Sequence, residues 1–389
     1  MAKICIDVTN ISPGKGGAGG GIATYARNLI LGLDELLEKS EISELEIIAI
    51  GHSGFLDGLK LNRIQKVFTN VNNQSFFARN YWLHFSLPQF IRRNKINVLH
   101  RVIPELPFFK ASKYVMTLHD FMFDFYLDNP ELKKYLGTIN QLKFLFLRFL
   151  MRIGVSNHDY ILVPSTAISL EANTRFPNKK LAIKVTKLAT NSARHIVETS
   201  GKRDSEISIG YVAGFYPHKG HLEAIKLMKS LQQSERGKNV KLYLRGSKVY
   251  QNYYREVEDL IEKEGLRDKV FMEGFDPNIT IQEIYGKYTA TLLLSRYEGF
   301  GLPVLESQSF SKPVICSDIA VFRENLNTSA IYLKSNPTKE ETEELLDKLY
   351  DREFLDQLVE KGNANTSQYS WSKTCQETLE VYLKLLSQS

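Results

Sequence analysis

The chain has 389 residues, 43% hydrophobic and 24% charged, which predicts two or three domains and excludes a disordered tail, a collagen or a disulfide-stapled miniprotein. Fifty Lys and Arg against 44 Asp and Glu leave a formal charge of +6, too mild and too spread out for a dedicated nucleic-acid binder. That balance suits an anionic ligand or a membrane surface equally well. Cys5, Cys316 and Cys375 are far apart and form no CxxC pair, so they read as buried thiols of a reducing cytoplasm, with neither a disulfide framework nor a structural zinc site.

Short apolar runs alternate with helical patterns along the whole chain, as in α/β domains built on parallel sheets. Residues 3–8 read as a strand, and Asp7 ends that run before it reaches the ~7–15 apolar residues of a signal peptide. A helix over 22–37, a strand over 44–51, a helix over 81–94 and strands over 97–100, 114–118 and 160–164 follow, with a long helical region over 131–156. Its greasiest part, 144–155, contains Arg148 and Arg152 and is too short to span a bilayer. The polar, aperiodic stretch 191–208 marks a domain boundary. Beyond it come strands over 208–212, 241–244, 270–272, 290–294 and 313–317. Helices are expected over 221–233, 250–264, 281–288 and 303–311, and a last one over 371–386.

Two segments carry the chemistry. The first is the glycine-rich run from Gly14 to Gly21, between a strand and a helix, where backbone N–H groups and the helix dipole can receive a phosphate. Gly14, Gly16 and Gly19 satisfy G-x-G-x-x-G formally, but Thr9 to Pro13 separate them from the strand, so a dinucleotide fingerprint is not indicated, and no Gly-Lys-Ser/Thr ends the loop as a Walker A motif requires. A flexible loop without a ligand is the alternative. The second is Ser295-Arg-Tyr-Glu298-Gly-Phe300-Gly301-Leu302-Pro303-Val-Leu-Glu306-Ser307. Pro303 suits the first turn of a helix, so Glu298 falls in a loop and Glu306 about one turn into the helix. A loop followed by a helix start can fold both carboxylates round one ligand, while the glycines leave amide donors accessible. A phosphorylated, hydroxyl-rich ligand fits that inventory; taken alone, Glu306 could equally complement the helix dipole.

The string Glu298 to Glu306 resembles the E-x7-E signature of retaining GT-B glycosyltransferases of glycosyltransferase family 4, the glycosyl transferases group 1. Gly20-Gly21-Ile22-Ala-Thr-Tyr25-Ala-Arg-Asn28-Leu29, Thr117-Leu-His119-Asp120 and Pro217-His218-Lys219-Gly220 are similar to three further motifs of that family, so the resemblance spans most of the chain. It implies a GT-B fold, two Rossmann-like domains with parallel sheets facing across a cleft. Residues 1–200 would receive the acceptor, 206–370 would bind the nucleotide-sugar, and 371–389 would pack back on the first domain.

By the same resemblance Glu306 would hold the ribose, Glu298 would contact hydroxyls of the transferred sugar, and amides around Phe300, Gly301 and Leu302 would cradle it. Gly20 and Gly21 would lie along the donor. Lys219 would neutralise the diphosphate as the anomeric bond breaks. His119 would donate to or orient a sugar hydroxyl, with Asp120 orienting nearby backbone. Relatives place an arginine near Lys219 where this chain has His218; Arg245 is the candidate substitute, with a surface ion pair as its alternative role. No Asp-x-Asp motif occurs, so neither metal nor cofactor is expected.

The implied reaction is retaining transfer of a hexose, with mannose from GDP-mannose as the suggested donor, to a glycan or lipid-linked acceptor in the synthesis of a bacterial surface polysaccharide such as lipopolysaccharide. Rival readings are a sugar-nucleotide epimerase of the same fold and a catalytically silent carbohydrate-binding scaffold. The basic, apolar segments 79–95 and 135–153 read either as core helices with a solvated edge or as a peripheral contact with the inner face of the cytoplasmic membrane, with Arg148 and Arg152 as the candidate cations.

Overall fold

A computed structural model of the chain describes residues 1–11, 20–40, 44–72, 75–191, 206–274, 276 and 278–388. The chain divides into two compact units, Met1–Asp128 with Thr138–Leu188 and Ser370–Ser389, and Asn129–Gly137 with Ala189–Tyr369. The expected boundary lies for the most part outside the described residues.

Strands apolar on both faces must be covered on both faces, which parallel sheets achieve with their crossover helices. In the first unit β1 (Ala2–Asp7), β2 (Leu45–Gly51), β3 (Gln65–Phe68), β4 (Val98–Arg101), β5 (Lys113–Thr117), β6 (Tyr160–Val163) and β7 (Ile183–Val185) form one sheet in the order β3-β2-β1-β4-β5-β6-β7. In the second, β8 (Ile207–Val212), β9 (Val240–Arg245), β10 (Val270–Glu273), β11 (Ala290–Leu293), β12 (Val314–Ser317) and β13 (Ile331–Leu333) form another, in the order β10-β9-β8-β11-β12-β13. The pairings are parallel in both sheets. Each order reverses beside its first strand, which creates a crevice at the carboxyl ends of β1 and β4 and another at those of β8 and β11.

The first-unit helix expected over 81–94 instead starts at Phe76, capped by the Ser75 side chain, which accepts from the Ala78 N–H at 3.2 Å. It passes through a wide π turn at Trp82–Ser86 and resumes as Leu87–Arg93. Pro88 has no N–H to give to the carbonyl four residues back, so the local ladder shifts there. The expected helix 131–156 is split into Pro130–Lys133 and Gly137–Asn157, with Gly137 at φ +63 between them. The short first piece belongs to the second unit: the Tyr135 hydroxyl donates to Glu256 Oε2 at 2.7 Å, and its ring meets Tyr253 edge-on.

The C-terminal helix Trp371–Ser387 belongs to the first unit. It can approach the helix Gly21–Lys39 closely because position 32 is glycine; a Cβ there would lie 2.5 Å from the Cys375 Sγ. Tyr382 on the same helix reaches His100 Nδ1 at 2.5 Å, while His100 Nε2 meets the Thr117 hydroxyl at 2.8 Å and Thr117 meets Tyr25 at 2.9 Å. Burial, with a smaller contribution from His119, lowers the His100 pKa to about 3, so this internal polar chain carries a neutral ring. The three cysteines are buried free thiols.

Candidate functional site

The crevice of the second unit lies between β8 and β11, and the two loops that leave these strands are tied together by hydrogen bonds. Tyr211, fully buried on β8, donates its hydroxyl to the Lys219 carbonyl and accepts from the Leu294 N–H at 2.9 Å. The Arg296 N–H donates to the His218 carbonyl at 2.8 Å. Gly220 turns the first loop into the helix His221–Leu231 at φ +73, so close to the second loop that an added Cβ would sit 1.9 Å from the Leu294 carbonyl oxygen. Only glycine meets both conditions.

These ties bring Lys219 and Glu298 together, 79 positions apart in sequence. Lys219 Nζ donates to Glu298 Oε1 at 2.6 Å, and the Ser295 hydroxyl donates to the same oxygen at 2.7 Å. The side chains are 15% and 8% exposed respectively. A cation and a carboxylate at the carboxyl edge of adjacent parallel strands, partly withdrawn from water, interact more strongly than a surface pair would.

Gly301, at φ +85, caps the helix Leu302–Ser309, and the ring of Phe322 fills the space a Cβ would need. Phe300 precedes it, with its carbonyl accepting from Asn325 Nδ2 at 2.7 Å. Because the peptide is planar and trans, the Gly301 N–H of the same unit points the opposite way. Asn325 is in turn held through its own carbonyl, which accepts from Asn365 Nδ2 and the Tyr369 hydroxyl, each at 2.9 Å. Glu306 stands one turn into the helix, where the Tyr285 hydroxyl approaches its Oε2 at 3.5 Å and burial raises its carboxyl above the usual range.

The remaining expected residues are placed differently. Arg245 ends β9, which lies on the other side of β8 from the β8/β11 crevice, and its Nε donates to Glu273 Oε2 at 2.9 Å, at the end of β10. The His218 pKa is lowered well below its ordinary value, first by burial and then by the Lys219 charge; the ring is neutral and supplies no second cation. Arg296 pairs with Glu131 at 3.1 Å.

Gly20, Gly21 and His119 lie in the first unit. Gly20 is the N-cap of the helix Gly21–Lys39, and the glycine-rich run 12–19, with Gly14, Gly16 and Gly19, lies outside the described residues. Burial lowers the His119 pKa to about 4, and its Nε2 lies 2.9 Å from the Val102 carbonyl. A carbonyl only accepts, so Nε2 carries the proton and Nδ1 the lone pair. The Val102 carbonyl thus takes the Nε2 proton, and Nδ1 is the ring's acceptor. Asp120 Oδ1 accepts from the Met122 N–H at 2.9 Å, a backbone-orienting contact.

Sequence reasoning passed over Tyr211, Tyr285 and Asn325. A tyrosine on an otherwise apolar buried strand must find a partner for its hydroxyl, which was the one available signal for Tyr211. Nothing local marks Asn325. Among the described residues no group of three or more His, Cys, Asp and Glu side chains is arranged to hold a metal ion.

Comparison with known proteins bears on the fold and on the family of the second half of the chain. Residues 193–366 match the family model of the Glycosyl transferases group 1. The chain is 24% identical to the O-antigen chain mannosyltransferase RfbU of Salmonella typhimurium over 334 residues, 83% of this chain and 86% of that protein. It is 25% identical to the O-antigen chain mannosyltransferase B of Escherichia coli over 177 residues, 44% of this chain and 46% of the relative. The crystal structure of Anabaena Alr3699/HepE in complex with UDP and glucose superposes with a TM-score of 0.67 at 16% identity, covering 99% of this chain and 100% of the other, which shows a shared GT-B fold. The chain therefore carries a Glycosyl transferases group 1 domain, residues 193–366, on the fold of the GT-B glycosyltransferases.

Proposed function

We propose that the protein transfers a hexose, mannose from GDP-mannose, to a glycan or lipid-linked acceptor with retention of anomeric configuration and without a metal, in surface-polysaccharide synthesis at the cytoplasmic side of the membrane. The observation that carries this reading is the Lys219–Glu298 pair at the β8/β11 crevice, with Glu306 one turn into the adjoining helix. Lys219 offers a fixed positive charge to the diphosphate as the anomeric bond breaks, Glu298 accepts from hydroxyls of the sugar, and Glu306 accepts from those of the ribose. The choice of mannose rests on the relatives named mannosyltransferases. Neutral His119 accepts from a sugar hydroxyl through Nδ1.

The test is nucleotide-dependent thermal stabilisation, because a ligand bound only by the folded state raises stability by about 2.7 kcal/mol at a hundred times its Kd. GDP is expected to raise Tm more than UDP or ADP, without added metal, and chelation is expected to leave turnover unchanged. Glu306→Gln is expected to remove the GDP shift. Burial raises the Glu306 pKa, so its folding contribution is fully favourable below the unfolded pKa and is lost as pH rises through the folded one. At pH 7 the Gln variant without ligand should therefore melt no lower than the parent. For the same reason GDP affinity should weaken on acidification at a pH above the usual glutamate range. If no nucleotide shifts Tm, or if Glu306→Gln keeps the full shift, this assignment of the site fails.

A further inference from the structure

More than half of the strongly exposed large apolar side chains among the described residues lie between positions 77 and 149, all in the first unit. On the helix Gly137–Asn157 they form a stripe of Ile139, Leu142, Leu145 and Phe149; Ile139 is 82% exposed and the others at least half. The opposite face of this helix is an ordinary core face of Leu150, Met151, Gly154 and Val155. On the helical segment from Phe76 to Ser86, Phe77 is 83% exposed, and Tyr81 and Phe85 stack on each other beside it.

The two stripes join. Phe76 meets Phe77 and Phe146 edge-on, at 5.8 and 4.9 Å between centroids, and Phe146 leads on to Phe149 at 6.5 Å. Below these rings Leu83, Leu147 and Leu150 line the seam between the helices. A continuous aromatic and aliphatic surface is thus turned outward, which costs free energy in water unless something covers it.

Charge indicates what covers it. Residues 76–95 and 137–157 together contain Arg79, Arg92, Arg93, Lys95, Lys143, Arg148 and Arg152 and not one Asp or Glu, a local charge of +7 in a chain whose total is +6. At 100° per residue, Lys143 and Arg152 fall on opposite flanks of the exposed stripe, where long side chains can lay their stems along apolar surface and keep their charges at its edge. Arg148, which the sequence suggested as a lipid contact, is instead bound to Asp124 and Asp128 at 3.0 Å each. Lys143, Arg92 and Arg93 are exposed and pair with no carboxylate among the described residues. A second copy of the chain docked by this face would set these unpaired cations against their own copies. A surface of anionic headgroups over acyl chains matches both the charge and the grease.

We infer that this face of the first unit docks on an anionic lipid bilayer, with the apolar stripes entering the headgroup boundary and Lys143, Arg92 and Arg93 facing lipid phosphates, while Arg152, like Arg148, stands within ion-pair distance of Asp124. No helix among the described residues is long and apolar enough to cross a membrane, so the contact lies in the interface. Flotation of the full chain with vesicles tests it, and its readout does not depend on any transferase activity. The parent chain should float with phosphatidylcholine vesicles containing phosphatidylglycerol and stay behind with phosphatidylcholine alone, at about 0.1 M salt, where the Debye length is about 10 Å. Lys143→Gln with Arg92→Gln and Arg93→Gln should weaken partitioning on the order of 100-fold, at the expected contribution of a basic residue near such a surface. Ile139→Gln with Leu142→Gln and Phe149→Gln should weaken it at least about 10-fold with only a small loss of Tm, because all three side chains are more than half exposed. Flotation of both triple variants like the parent would overturn the inference, as would equal binding to neutral vesicles. So would sedimentation without lipid showing a dimer that the apolar variant turns into a monomer, since the face would then be a contact between copies.

Discussion

Lys219→Ala is expected to lower kcat for transfer from a nucleotide-sugar by about 10²- to 10³-fold, the usual cost of removing one donor from a developing oxyanion. The structure adds a second effect. Lys219 Nζ is 2.6 Å from Glu298 Oε1, and Glu298 is only 8% exposed. Taking away the ammonium leaves that carboxylate with the Ser295 hydroxyl on the same oxygen, and breaking a buried pair from one side costs about 3–5 kcal/mol. The pair is partly hydrated, so the lower end is expected in a denaturation experiment. Glu298→Gln in the Lys219→Ala background should restore most of the stability and none of the rate. A double-mutant cycle in both readouts checks this: coupling in stability with rescue, and no rescue in kcat. Full activity in Lys219→Ala would exclude the lysine from the reaction.

Gly220→Ala is expected to destabilise the second unit by about 3 kcal/mol or more, a large effect for one methyl group. Left-handed backbone costs a non-glycine residue about 1–2 kcal/mol, and crowding a packed site typically costs another ~1–3. Here the crowding is against backbone, since the new Cβ would meet the Leu294 carbonyl oxygen at 1.9 Å, and a carbonyl cannot rotate aside as a side chain can. The loops would have to separate, loosening the Tyr211 contacts and drawing Lys219 away from Glu298. Chemical denaturation of the full chain with an unchanged m-value would measure the loss, and nucleotide binding should fall with it. A stability change below about 0.5 kcal/mol would show that the loops have room the structure does not show.

Much of this architecture was readable in the order of residues. Interior strands such as Ala2–Asp7 and Ala290–Leu293 are mostly apolar because both their faces are covered, and their limits fell within a residue or two of expectation. The edge strands Gln65–Phe68, Ile183–Val185 and Ile331–Leu333 were not read at all: at three or four residues each they are too short to show an apolar run or a clean alternation. The break at Gly137 inside a continuous helical pattern was also hidden, because Tyr135 is drawn to Glu256, more than a hundred residues further on.

The site divides along the same line. Glu298 and Glu306 could be placed from sequence alone, in a loop and on the following helix turn, because Gly301 and Pro303 are local signals and eight residues of spacing need no tertiary information. Which cation faces Glu298 could not be settled that way: Lys219 and Arg245 both follow strands, and only the structure pairs the first with Glu298 and the second with Glu273. The direction of His119's hydrogen bond depends on the Val102 carbonyl beside it, and the Gly301 amide is aimed by Asn325, a residue no motif contains. Local backbone preference and apolar periodicity act over a few residues and are written in the chain. The partner of a charge, the direction of an amide and the exposure of an apolar stripe depend on what folding brings alongside, and the tertiary structure alone decided them.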